Sequence, residues 1–198
     1  MLAIAVLLLL IVNVLAVASK EDTKNLSVST KTFRVPPASA NVNSTVNSKS
    51  NGWVYFNQCD PNWANQRLGW CDDYTLCTGG CAMTSTAMIL ATKGVSINPS
   101  SLDDWLSNNG GYANGCDLIW SRIDAFGVTS FQGLEYADEG AICNGLSEGH
   151  GIVANVNNGE HWVLLTGCAG GGVFYVNDPA FSRTTYSMGA ILMEAVYH

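Results

Sequence analysis

Gly79-Gly80-Cys81-Ala82-Met83-Thr84-Ser85-Thr86-Ala87-Met88-Ile89-Leu90-Ala91-Thr92-Lys93-Gly94 is the stretch from which the fold is read. Ala82, Met83, Ala87, Met88, Leu90 and Ala91 recur at helical spacing, so the stretch predicts an amphipathic helix over 81–93. Gly79-Gly80 lead into its first turn, and Gly94 stops it. Cys81 therefore falls at a helix N-terminus, where unpaired backbone N–H groups and the positive end of the dipole stabilise an anion. Because the thiolate is the nucleophilic form of cysteine, this position suits a catalytic thiol. It equally suits a small residue packed under a sheet, or one half of a bridge, so the rest of the chain has to decide.

C-terminal to that helix, a second is expected over 101–107, entered through Asn98-Pro99-Ser100 with Ser100 and Asp103 at capping-box spacing. A third is expected over 117–126, stopped by Gly127. The period then changes from helical to extended. Residues 151–156, 161–167, 173–177 and 183–188 read as short strands, punctuated by Asn157-Asn158-Gly159, Gly170-Gly171-Gly172 and Asp178-Pro179. Helices followed by an antiparallel sheet make an α+β domain.

The strands supply a base for the thiol. His161 opens the apolar run Trp162-Val163-Leu164-Leu165-Thr166, which places it at a strand end beside a sheet that can face the Cys81 helix. His150 lies in a Gly-rich loop and His198 is the last residue, so His161 is the favoured partner. Such a histidine needs a third group to fix its tautomer. Asp178 stands at the end of the next strand in Val176-Asn177-Asp178-Pro179, near the start of the strand that His161 opens. Asn177 should point to the opposite face, since side chains alternate along a strand.

N-terminal to the helix the chain divides in two. Residues 1–18 are apolar apart from Asn13 and end in Ala16-Val17-Ala18, a small-x-small pattern that predicts a signal peptide cleaved after Ala18. A membrane anchor is the competing expectation, because no Lys or Arg precedes the run. Residues 19–50 are rich in Ser, Thr, Asn, Val and Lys, carry a net charge of +3 and hold the sequons Asn25-Leu26-Ser27 and Asn43-Ser44-Thr45. They read as a flexible prosegment or linker. The folded domain is assigned to 51–198, whose four basic and fourteen acidic residues give −10. Such a surface repels nucleic acid and anionic lipid, so neither is expected as a partner, and once the signal is removed no stable membrane association is expected. Seven cysteines with an export signal predict disulfides in the secretory pathway, with a secreted or lumenal (lysosomal or vacuolar) destination. The odd count leaves one thiol over, which fits bridges among Cys59, Cys71, Cys77, Cys116, Cys143 and Cys168 with Cys81 free. Metal binding is disfavoured, because no Cys-x-x-Cys or His-x-x-x-His pair occurs.

Four separate motifs, in order, carry a resemblance to a known family. Gln58-Cys59-Asp60-Pro61-Asn62-Trp63-Ala64, Gly79 to Met88, Gly159-Glu160-His161-Trp162-Val163 and Val176-Asn177-Asp178-Pro179 resemble the papain-like cysteine peptidases similar to bacteriocin-processing, double-glycine peptidases, over about 53–188. The resemblance implies a Cys81–His161–Asp178 triad on a papain-like fold, with Gln58 as oxyanion donor, no cofactor, a peptide or protein substrate and a monomeric enzyme. In two respects the chain departs from the family. Twenty-two residues lie between Gln58 and Cys81, Cys59, Cys71 and Cys77 among them, and Ala82 stands where many relatives have glycine. The same groups would serve an amidase or transpeptidase. The alternative from another class is a secreted binding module that keeps the scaffold and offers Trp53, Trp63 and Trp70 as a ligand surface.

Overall fold

The structure is a computed structural model that describes residues 52–198. The expected signal peptide, the 19–50 segment and both sequons lie outside the described residues.

After a loop segment come α1 (Leu76–Gly79), α2 (Cys81–Thr92) and α3 (Pro99–Asn108). A small hairpin, β1 (Tyr112–Ala113) and β2 (Asp117–Leu118), leads into a 3-10 helix over Trp120–Phe126. Next are β3 (Phe131–Tyr136), α4 (Glu139–Ser147), β4 (Gly151–Val156), β5 (His161–Gly170), β6 (Val173–Asn177), β7 (Thr185–Ser187) and β8 (Met193–Tyr197). The large sheet is antiparallel throughout, in the order β3-β8-β4-β5-β6-β7. This is the α+β fold the sequence predicts.

Alternation along the central strands sorts the core into two layers. Val153, Leu164, Ala195 and Tyr197 meet Ile89, Met88 and Leu102 on one face of the sheet. Ile152, Ala154, Val163, Leu165 and Phe174 meet Ile142 of α4 on the other. Helix α2 is buried from Met83 through Leu90, polar residues included, so it is a central helix rather than one with a single apolar stripe. Two of its hydroxyls are satisfied along the helix, Thr86 Oγ1 donating to the Met83 carbonyl at 2.9 Å and Thr92 Oγ1 to the Met88 carbonyl at 2.7 Å, whereas Thr84 Oγ1 is buried without a partner. Two glycines allow the close approach. A Cβ on Gly80 would come within 2.5 Å of the Leu76 carbonyl, and one on Gly151 within 2.7 Å of Ile89, the contact through which β4 packs on α2.

Three sequence expectations shift. The cap of α3 is Asn98, whose side chain accepts from the Ser101 N–H at 2.9 Å, with Pro99 in the first turn. Asp103 is not part of a cap. It is buried and accepts from the Gly69 N–H at 2.9 Å, Tyr112 Oη at 2.7 Å and Gln66 Nε2 at 2.8 Å, tying α3 to the loop before α1. Residues 117–126 do not form one helix. Asn114 and Gly115 have positive φ and turn Asp117-Leu118 back against β1, so helical backbone begins only at Trp120. Gly127, at φ 69°, ends it as read.

Candidate active site

Cys81 is the first residue of α2, and its thiol is free. The other six cysteines pair as Cys59–Cys77, Cys71–Cys116 and Cys143–Cys168. No side chain caps α2, so the N–H groups of its first turn are open to an anion. Cys81 lies in a cleft of about 250 Å³ whose walls include Leu68, Met83, Tyr112, Trp120 and Trp162.

His161 is delivered by the turn between β4 and β5. Asn157, Asn158 and Gly159 follow one another at φ 53°, 58° and 100°, a left-handed run that Asn and Gly tolerate best. His161 then opens β5, only 5 % exposed. Its Nε2 lies 2.8 Å from Asp178 Oδ1. Cys81 is close enough to act on the same ring electrostatically, and with Nε2 engaged by Asp178 the nitrogen left over for the thiol is Nδ1. Burial alone would lower the imidazole. The hydrogen bond to Asp178 and the influence of the neighbouring Cys81 and Asp178 charges outweigh it and hold the ring at about 9, against an ordinary 6.5. Phe181 covers the ring edge-on, with centroids 5.1 Å apart.

Asp178 follows β6 and is 2 % exposed. Its Oδ1 accepts from His161 and from the N–H groups of Ala180 and Phe181, both at 3.0 Å, an Asx-type turn that Pro179 helps set. Its Oδ2 accepts from Tyr186 Oη at 3.0 Å. Burial would push the carboxyl up, yet the bonds from His161, Phe181 and Ala180 hold it below its ordinary range. Asn177 points to the opposite face, as alternation requires, and donates to the Val54 carbonyl at 3.1 Å.

Gln58 is buried between the two halves of this arrangement. Its backbone N–H donates to the Pro179 carbonyl at 2.8 Å, and its side-chain Nε2 donates to the carbonyl of Cys77, just ahead of the Cys81 helix. The Cys59–Cys77 bridge closes the same loop. That contact fixes which way the amide faces, because a flip would set its oxygen against the Cys77 carbonyl. The second Nε2 hydrogen is left for another acceptor.

The structure thus hydrogen-bonds His161 to Asp178, sets Cys81 within electrostatic reach of the same ring, and seats Gln58 against both flanking loops. His150 is elsewhere, stacked on His198 with centroids 3.9 Å apart and 3.3 Å from Glu148. The three tryptophans proposed as a ligand surface do not form one. Trp53 is in the core, Trp63 packs edge-on against Phe56 and donates to the Asn57 carbonyl, and Trp70 is exposed. Sequence reasoning missed Tyr186 and Phe181. Tyr186 lies inside the 183–188 strand reading, and the inward phase of that strand was the signal for a side chain reaching Asp178.

Comparison with known proteins agrees in kind. The Peptidase_C39 like family matches residues 53–197. Among solved structures, the chain is similar to a C39-like peptidase from Bacillus anthracis, at 15% identity over 73% of this chain and 94% of that one, with a TM-score of 0.46. It is also similar to a double glycine motif protease from an AMS/PCAT transporter, solved in complex with the leader peptide, at 20% identity over 59% of this chain and 82% of that one, with a TM-score of 0.40. No curated protein matches it.

Proposed function

Because the chain belongs to the Peptidase_C39 like family, we propose that it is an exported cysteine peptidase in which Cys81 is the nucleophile and His161 the general base and acid. The observation that carries the reading is the single free thiol, at an uncapped helix N-terminus, beside a histidine that is itself bonded to a buried carboxylate.

The mechanism follows from those contacts. His161 takes the thiol proton, and the thiolate attacks the amide carbonyl to form a C–S bond. The developing oxyanion accepts from the Cys81 backbone N–H and from the second Nε2 hydrogen of Gln58. The C–N bond then breaks as imidazolium donates its proton to the leaving amine. Water, deprotonated by His161, attacks the thioester, and the thiol departs with that proton. Asp178 moves no proton; it keeps Nε2 engaged, so that Nδ1 serves the reaction. The substrate is a peptide or protein, and no cofactor enters. Residues 1–18 act as the export signal and 19–50 as a prosegment or tether, readings supported by three bridges that an oxidising compartment would maintain.

An electrophilic thiol probe applied to the native protein tests the reading. Labelling confined to Cys81, lost in Cys81→Ala together with cleavage of a peptide library, is the expected result. A native protein that neither labels at Cys81 nor cuts any peptide would instead be a binding module on this scaffold.

A further inference from the structure

Two clefts flank the Cys81–His161 pair, and only one of them contains Cys81. The other, of about 410 Å³, is lined by Asn157, Phe181, Ser182, Arg183 and Tyr186. Two of its wall residues touch the His161–Asp178 pair: Phe181 packs edge-on against the imidazole that transfers the protons, and Tyr186 Oη is 3.0 Å from Asp178. Since His161 hands its proton to the departing amine, the fragment released with that amine lies toward this wall rather than over the Cys81 helix.

The chemistry of the wall is unlike the rest of the domain. Residues 51–198 carry fourteen acidic residues and four basic ones, and Arg183 is the basic one that lines this cleft. Arg67 is committed to Asp72 at 3.1 Å, and Lys93 to the Gly149 carbonyl at 2.8 Å. Arg183 has no carboxylate partner among the described residues. Its guanidinium stacks on the Tyr186 ring, with Cζ 4.8 Å from the ring centroid. Stacking occupies one flat face of the group, whose edge carries a fork of N–H donors shaped for a carboxylate. Ser182 and Asn157 add neutral polar groups, and Phe181 adds an apolar floor.

We propose that this cleft is a leaving-side subsite that binds a carboxylate of the substrate, with Arg183 as the recognising charge. The proposal rests on the peptidase reading. The carboxylate is either the C-terminus of a short leaving fragment or an Asp or Glu side chain within a longer one. Arg183 is linked to His161 through Tyr186 and Asp178, and the length of leaving fragment that brings a carboxylate to it is read from the test below. In a domain whose net charge repels acidic peptides, the arginine stacked on Tyr186 makes this cleft a place where a carboxylate is tolerated.

Matched peptides test this, all sharing one acyl side and carrying one to four leaving-side residues. One arm compares free C-terminal acids with amides; the other compares Glu with Gln inside long amidated peptides. The expected result is a kcat/KM preference for the carboxylate of about five- to tenfold at one length, reduced by salt. Preference in the first arm alone identifies the terminus as the source, and in the second alone the side chain. Arg183→Gln should bring the acid-to-amide ratio to about one, and Arg183→Lys should keep part of it, since a point charge replaces a fork. Because Arg183 is exposed, neither change threatens the fold. No preference in wild type, or an equal preference in Arg183→Gln, overturns the subsite while leaving peptide cleavage intact. Calorimetry on Cys81→Ala with tri-alanine acid and its amide gives a readout independent of turnover. Tighter binding of the acid that depends on Arg183 sustains the subsite even if no peptide is cut, a result that would count against the peptidase reading instead; equal binding overturns the subsite.

Discussion

Replacing Asp178 by Asn isolates what the buried carboxylate does for His161. Asn keeps the shape and an oxygen to accept from the Ala180 and Phe181 N–H groups, but it removes the negative charge opposite Nε2. His161 is held at about 9 against an ordinary 6.5, a difference of about 3 kcal/mol in favour of imidazolium. The sign is that of a raised group: this stabilisation is fully present below pH 6.5 and is lost as pH rises through about 9. Asp178 and Cys81 share the effect, so losing the Asp178 part should bring the alkaline limb of kcat/KM down by about one pH unit, equivalent to about 1.4 kcal/mol. Alkylation of Cys81 followed from pH 6 to 10 should show the same displacement, because imidazolium is the counter-ion of the reactive thiolate. Urea denaturation adds a second readout, in which wild type loses more stability than the variant between pH 7 and 9. If Asp178→Asn slows turnover while its alkaline limb stays in place, the carboxylate is not what holds His161 charged.

Three further perturbations address the surroundings. Gln58→Ala should lower kcat by about 10²-fold with little change in KM, as expected for an oxyanion donor, measured by initial rates on one cleaved peptide. Replacing Cys59 and Cys77 together by Ser opens the loop whose Cys77 carbonyl holds the Gln58 amide; kcat should fall by about tenfold while Cys81 remains open to alkylation, whereas an unchanged kcat would mean that Gln58 is held without the bridge. Glu194 is buried with Oε2 unpartnered, and burial and the nearby Glu135 and Asp138 charges raise it to about 7 against 4.5, so stability falls as pH rises from 4.5 through 7. Glu194→Gln should remove that slope and exceed wild type by about 2 kcal/mol in denaturation at pH 8, with little difference at pH 4.

The parts of the fold that could be read from the sequence are those whose residues declare a period or a stop. The Gly-Gly-Cys lead-in gave α2 its start, and Gly94 and Gly127 marked two ends. Continuous apolar runs gave β4, β5 and β6. What escaped is held by tertiary contacts instead. Helix α4 contains Gly140 and Gly145, weak helix formers, and is fixed by Ile142 under the sheet and by the Cys143–Cys168 bridge. Strands β3 and β8 pair with partners far along the chain, and β3 is an edge whose Leu134 and Tyr136 are exposed, so its pattern does not separate an inside from an outside. Asp103 was misplaced for a related reason: spacing alone cannot distinguish a cap from a buried acceptor for Gly69, Tyr112 and Gln66.

At the candidate site the division falls differently, and it bears on how a triad is built. Cys81, His161 and Asp178 were each legible because each stands where an element starts or ends, the places at which a side chain can project beyond the packed layers. Period-two alternation also separated Asp178 from Asn177, since the side that reaches Val54 is closed to His161. The residues that hold His161 and Asp178 in position, Tyr186 on Oδ2 and Phe181 over the imidazole, carry no such mark. They belong to the loop and strand after Pro179, which the Gln58 N–H ties back to the nucleophile side of the fold. One loop therefore orients the base, covers it and forms the wall that carries Arg183. A change within 179–186 should consequently alter turnover and leaving-side selectivity together, whereas a change in the Cys81 cleft, at Trp120 or Leu68, should alter acyl-side selectivity alone.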